Sequence, residues 1–153
     1  NAPLAFTSLH VSDIHELENK PIPSFFTISP FYWNQDDATR KWSNKFAARN
    51  RGAMPTDIQA GVYSSVRHYL RNLKFGATDA AGEVLTRMKA NVLDDPLFGA
   101  SKIREDGLVM HRLLLLSSMK DLERNKPWDI YRIVRTIHPA DVMLPTKASC
   151  KEE

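Results

Sequence analysis

The sequence holds a single cysteine, Cys150, close to its end. That excludes an internal disulfide, a cysteine-built zinc framework and a CxxC redox pair, each of which needs at least two. Glycine is scarce as well, with six in 153 residues. None of them builds a phosphate-cradling loop or a Gly-x-Ser-x-Gly nucleophile elbow. No apolar run approaches the ~20 residues that a membrane-crossing helix needs. The longest, Leu113-Leu114-Leu115-Leu116, suits a strand or a helical turn. Neither sign of charge dominates: 21 basic against 18 acidic residues leave a net charge of +3. Arg40, Lys41, Lys45, Arg49 and Arg51 are interleaved with Trp42, Phe46 and Ala47. At helical spacing that is one solvated basic face rather than a nucleic-acid stripe, so no nucleic-acid partner is expected.

The chain opens Asn1-Ala2-Pro3, with no initiator Met and no basic n-region, which points to processing or truncation. Cys150 lies in the polar tail Lys147-Ala148-Ser149-Cys150-Lys151-Glu152-Glu153. It reads as an unpaired thiol, the alternative being a pair with a cysteine outside this chain.

What is present suits a folded domain. A hydrophobic share of 42% against 25% charged is globular, and the length can bury a useful core. Leu4 to Leu9 reads as a strand and Asp13 to Leu17 as a short helical turn. Asn19-Lys20-Pro21-Ile22-Pro23 breaks regular structure because each proline fixes φ and removes a donor. Ser24-Phe25-Phe26-Thr27-Ile28 is a β-branched and aromatic run that ends at Pro30. Three helices follow. The first is capped at Asp36 or Asp37 and runs to about Asn50, with Trp42, Phe46 and Ala47 on its buried face. The second is capped by Thr56 and runs to Phe75, where Gly76 stops it. Ile58, Val62, Val66, Tyr69, Leu70 and Leu73 form its single apolar stripe. The third starts near Thr78 or Asp79 and runs to Ala90, with Val84, Leu85 and Met88 facing inward. Asp94-Asp95-Pro96 and Arg104-Glu105-Asp106-Gly107 read as turns. Val109 to Met119 and Trp128 to Val134 read as strands. The class is α/β, with three central helices flanked by strands.

One segment looks catalytic. In Ser8-Leu9-His10-Val11-Ser12-Asp13-Ile14-His15, the Asp13-x-His15 pair is similar to the opening of calcineurin-like metallophosphoesterases, where a carboxylate and an imidazole share a metal. The Gly-Asp, Gly-Asn-His and Gly-His-x-His segments of those enzymes are missing, and the later histidines are only His68, His111 and His138. Asp13 is then a turn cap. Ser64 and Ser65 within a helix, and the pairs Asp36-Asp37 and Asp94-Asp95, read as packing and capping residues.

Several short motifs, in order, carry a broader resemblance. They begin with Phe31-Tyr32-Trp33-Asn34-Gln35-Asp36-Asp37-Ala38-Thr39-Arg40-Lys41-Trp42-Ser43 and Met54-Pro55-Thr56-Asp57-Ile58-Gln59-Ala60-Gly61-Val62-Tyr63-Ser64-Ser65-Val66. Asp95-Pro96-Leu97-Phe98-Gly99, Ile103-Arg104-Glu105-Asp106-Gly107, Trp128-Asp129-Ile130-Tyr131 and Ser149-Cys150 follow. Together they resemble the C-terminal part of type I periplasmic solute-binding proteins of the branched-chain amino acid and aromatic acid class. Asp13-Ile14-His15 has its counterpart there too, while Glu16 to Pro23 lacks the glycines usual at that point.

That resemblance implies a Rossmann-like, two-lobed α/β receptor, incomplete here, with residues 1–153 spanning parts of both lobes. It implies an extracytoplasmic, non-enzymatic component of an ABC importer that needs no cofactor. A small amino acid or organic or aromatic acid would lie in the interlobe cleft. Its partners would be that solute, an ABC permease in the membrane, and the missing N-terminal half or further copies of the chain. By position, the start of the second helix should face the cleft, with Asp57 and Gln59 as polar contacts and Ile58 as an apolar wall. Tyr32 and Trp33, after a strand, could stack on an aromatic solute. The competing readings are that the two aromatics are core and that Asp57 only complements the helix dipole. The competing functions are an interaction module that kept the fold without the cleft, and the phosphoesterase.

Overall fold

Two parallel strands open the fold, and such pairs need a crossover between them. The computed structural model describes residues 4–17, 23–76, 78–120 and 123–145. In it, Leu4–Phe6 (β1) pairs in parallel with Phe25–Ser29 (β2), in the register Leu4 to Phe25 and Phe6 to Thr27. The connection carries a short helix, Val11–His15 (α1), whose Val11 and Ile14 are buried. Alternation along β2 buries Phe25, Thr27 and Ser29 and leaves Ile28 exposed, as the two-residue period of a strand requires. Asn19 to Ile22 and the tail with Cys150 lie outside the described residues.

Three longer helices follow, the first two where their capping chemistry puts them. Asp37–Ala47 (α2) is capped by Asp36, whose carboxylate accepts from the Thr39 N–H at 2.9 Å while Thr39 Oγ1 accepts from the Asp36 N–H at 3.0 Å. Asp57–Lys74 (α3) is capped by Thr56, whose hydroxyl accepts from the Ile58 N–H at 3.2 Å. Gln59 reaches back to the Thr56 N–H at 2.8 Å. Ala81–Ala90 (α4) starts one residue later than capping at Asp79 predicts, with Ala80 at the cap position, and Thr78 accepts from the Ala80 N–H at 3.1 Å.

The chain then returns as strands. Leu93–Asp95 (β3), Gly99–Ile103 (β4) and Val109–Met110 (β5) make a small antiparallel sheet. Gly99 (φ +76°) and Gly107 (φ +89°) occupy left-handed positions at its two turns, where a side chain would be strained. Asp95 holds the first turn by accepting from the N–H groups of Leu97 at 2.7 Å and Phe98 at 3.2 Å. Leu113–Ser118 (β6) and Tyr131–Ile137 (β7) complete the larger sheet, in the order β1-β2-β6-β7. The run from Val109 to Met119 is therefore two strands rather than one, broken at His111 and Arg112. The last strand begins at Tyr131, because Trp128 and Asp129 are used as described below. Leu114 and Leu116 face Phe25, Phe31, Tyr32, Trp33, Ile130 and Tyr131 in one core.

The sequence pattern is inverted at α3. Its apolar stripe reads as the core-facing side, yet Ile58 is 57% exposed, Val62 60%, Val66 51% and Leu70 54%. The buried face is Ala60, Ser64, His68 and Asn72, a four-residue repeat. The His68 and Asn72 side chains are satisfied: His68 Nε2 lies 3.0 Å from the Met88 carbonyl, and Asn72 Oδ1 accepts from Asn91 Nδ2 at 2.6 Å. Arg87 Nε donates to the Asn72 carbonyl at 3.2 Å. A buried polar face is tolerable only when bonded in this way. On α4, likewise, Val84 is buried, Met88 is half-buried and Leu85 is exposed.

Candidate functional site

Ligands in open α/β sheets collect outside the carboxyl ends of parallel strands. Here β1 and β2 end side by side, and the chain leaves them through Leu9-His10 and Phe31-Tyr32-Trp33. The first turn of α3 closes the third side. The resulting narrow crevice is lined by Leu9, His10, Ser29, Tyr32, Trp33, Thr56, Asp57 and Tyr131, among others.

Three polar groups meet there. His10 Nδ1 and Asp57 Oδ1 lie 2.6 Å apart, each side chain about a quarter exposed. The Tyr131 hydroxyl donates to the Leu9 carbonyl at 3.1 Å. Burial raises the Tyr131 hydroxyl far above the ordinary tyrosine range, and the negative charges of Asp13 and Asp57 add to it. That phenol stays protonated and able to donate. The arrangement offers a carboxylate acceptor, an imidazole and a phenol beside a helix N-terminus, whose partial positive charge favours anions.

Tyr32 and Trp33 sit behind these groups, in the core. Trp33 is 1% exposed, and its indole N–H donates to the Trp128 carbonyl at 2.7 Å. The Tyr32 hydroxyl donates to Asp129 Oδ1 at 2.9 Å and accepts from the Tyr131 N–H at 3.3 Å. Asn34 Nδ2 adds a second donor to the same Asp129 oxygen at 2.9 Å. Burial first, and then the Asp129 charge, push the Tyr32 hydroxyl far above its ordinary range. Both residues nevertheless belong to the crevice wall. Asp57 is on the crevice, whereas Ile58 and Gln59 line a different groove, between α2 and α3. Gln59 is also occupied in the cap of α3. Sequence reasoning passed over His10 and Tyr131; His10 drew notice only within the metal-like segment.

That segment is put to other uses. Asp13 accepts from the His10 N–H at 2.9 Å, a cap for α1, and His15 stacks on Trp128 with ring centroids 3.6 Å apart. Among the described residues no group of three or more His, Cys, Asp or Glu side chains could hold a metal. No described helix is long and apolar enough to cross a membrane.

Comparison with known proteins bears on the fold and the family. A periplasmic binding protein of Burkholderia mallei superposes with a TM-score of 0.86 and 28% identity, over 92% of this chain but 37% of that one. A branched-chain amino acid ABC transporter periplasmic ligand-binding protein of Burkholderia xenovorans gives 0.86 and 26%, over 94% and 38%. An amino acid ABC transporter substrate-binding protein of Pseudomonas fluorescens, at 17% identity and a TM-score of 0.72, shares the fold over 96% of this chain and 39% of its own. The chain thus spans less than two-fifths of each of these structures. No curated protein sequence matches it. The periplasmic binding protein model matches residues 1–121, and the chain belongs to that family.

Proposed function

We propose that residues 1–153 are part of an extracytoplasmic solute-binding component of an ABC importer, and that they contribute to both lobes of a two-lobed receptor. The observation that carries this reading is the crevice at the carboxyl ends of β1 and β2, with His10, Asp57 and Tyr131 in its lining. The solute is a small amino acid, or an organic or aromatic acid, and the Burkholderia xenovorans neighbour makes branched-chain amino acids the first to try. The Asp57 carboxylate meets an ammonium group, and the α3 N-terminus with His10 meets a carboxylate. Tyr32 and Trp33 form the apolar wall, Gln59 fixes the first turn of α3, and Ile58 lies at its outer rim. A permease in the membrane takes the loaded receptor.

The test is solute-induced thermal stabilisation, because a ligand that binds only the folded state raises stability by RT ln(1 + [L]/Kd). A panel of aliphatic and aromatic amino acids and small organic acids, at about 100 times Kd, should give roughly 2.7 kcal/mol. Absence of any shift across the panel, in a receptor carrying both lobes, would sink the proposal and leave an interaction module as the better reading.

A further inference from the structure

The apolar and polar linings of the crevice differ in what they can still contact. Phe31, Tyr32, Trp33, Leu116 and Tyr131 are all between 1% and 4% exposed within this chain alone. They pack on one another in the main core, the Tyr32 ring centroid lying 6.0 Å from that of Trp33 and 5.8 Å from that of Tyr131. A site holds an apolar side chain mainly by removing apolar surface from water, and these residues have almost none left to cover. Ile58, next to Asp57 in sequence, lines the separate groove between α2 and α3 and adds no apolar surface to the crevice.

The polar lining remains available. His10 and Asp57 each keep about a quarter of the side chain exposed. Their contact engages His10 Nδ1 and Asp57 Oδ1, which leaves His10 Nε2 and Asp57 Oδ2 for a second partner. Size points the same way. Even counted with the open space beside it, the crevice spans about 250 Å³, below the roughly 300–1,000 Å³ of a pocket that takes a whole small molecule. We infer that this chain recognises only the charged head group of the solute, its ammonium on Asp57, and leaves the side chain to the part of the receptor outside residues 1–153. The matched structures have room for that part, since more than three-fifths of each lies outside the match. The inference rests on the solute-binding reading above and divides its specificity. Asp57 and His10 set how tightly the whole class is held, and not which member is preferred. A group that touches only what all members share contributes equally to each, so its loss scales every affinity by one factor.

Isothermal titration calorimetry on a receptor carrying both lobes tests this with alanine, valine, leucine and phenylalanine, which share a head group and differ in side chain. Asp57→Asn should weaken all four about tenfold or more, by factors that agree within about threefold, and keep their order of preference. His10→Gln is read the same way, so that the test stands if one variant does not fold, and circular dichroism checks both. The best-bound solute is then compared with its analogue lacking the ammonium. That analogue should bind the unaltered receptor about tenfold or more weakly than its parent, and the Asp57→Asn receptor within about threefold of its parent. The inference is overturned if either folded variant reorders the four, or if loss of the ammonium costs the Asp57→Asn receptor as much as the unaltered one. Reordering in a receptor that binds its solutes leaves the solute-binding reading standing. If the receptor binds none of the four, the inference falls, and the wider panel of acids above decides the solute-binding reading by itself.

Discussion

His10 Nδ1 and Asp57 Oδ1 lie 2.6 Å apart although 47 residues separate them in sequence. The contact ties the turn after β1 to the first turn of α3, so it sets the width of the crevice between them. Both side chains keep partial solvent access, so a solute arriving from outside can share the pair.

The first prediction follows from that sharing. Asp57→Asn and His10→Ala should each weaken binding of the stabilising solute about tenfold or more, or about 1.4 kcal/mol. Isothermal titration calorimetry would measure it, and the double variant should lose little beyond either single one, since the two act as a unit. Wild-type affinity in both single variants would remove the pair from the site.

The second concerns the aromatic wall. Tyr32→Phe keeps the ring but removes a donor to Asp129 and an acceptor for the Tyr131 N–H. Leaving buried groups short of a partner costs about 1–3 kcal/mol, so the denaturation midpoint should fall. Solute affinity should hold within about twofold, because the Tyr32 hydroxyl is engaged with Asp129 rather than with the polar groups of the crevice. Trp33→Ala, which empties a fully buried site, should cost about 3–5 kcal/mol.

These two residue pairs show how far the sequence could be read. Capping residues announced α2 and α3 to within a few positions, because a cap is a local hydrogen bond between neighbours. The proline- and glycine-marked turns were equally plain. The inward face of α3 was not, because periodicity reports where apolar residues cluster and not whether anything in the chain covers them. His68, Asn72 and Asn91 make a bonded polar interface with α4 that no apolar pattern could announce. Asp57 was legible from its place at a helix start. Its partner His10 was not, since only the parallel pairing of β1 and β2 brings the two together.

The cap of α2 carries a third prediction with a pH dependence. Burial alone would raise the Asp36 carboxyl, but the Thr39 N–H, Gln35, the Thr39 hydroxyl and Arg112 outweigh it and hold the group below its ordinary value. Stabilisation by Asp36 is therefore complete above the unfolded value near pH 4 and fades as the pH falls through the lower folded value. Asp36→Ala should cost about 1 kcal/mol at neutral pH, and progressively less below pH 4. An equal loss at every pH would mean that the charge of Asp36 contributes nothing to the cap.

The turn between β4 and β5 gives the fourth. Arg104 donates to Asp106 through Nε at 2.9 Å, and its Nη1 donates to the Leu144 carbonyl at 2.7 Å. One guanidinium thus joins the turn to the segment after β7. The bonds from Arg104 come first among the forces that hold the Asp106 carboxyl down to about 2; desolvation pulls the other way, and the Leu108 N–H assists. With the folded value depressed, the stabilising charge is fully present above pH 4 and is lost only between about pH 4 and 2. An NMR titration of the Asp106 carboxyl should show a midpoint near 2. Arg104→Gln should move that midpoint back toward the ordinary carboxylate range and raise amide exchange at Leu108, whose N–H donates to the same carboxylate at 3.2 Å. Gly107, at φ +89°, is required for the turn itself, so Gly107→Ala should raise exchange there while leaving the Asp106 midpoint low. A midpoint near 4 in the unaltered chain would show that Arg104 does not engage Asp106 in solution, and the link from turn to tail would fall with it.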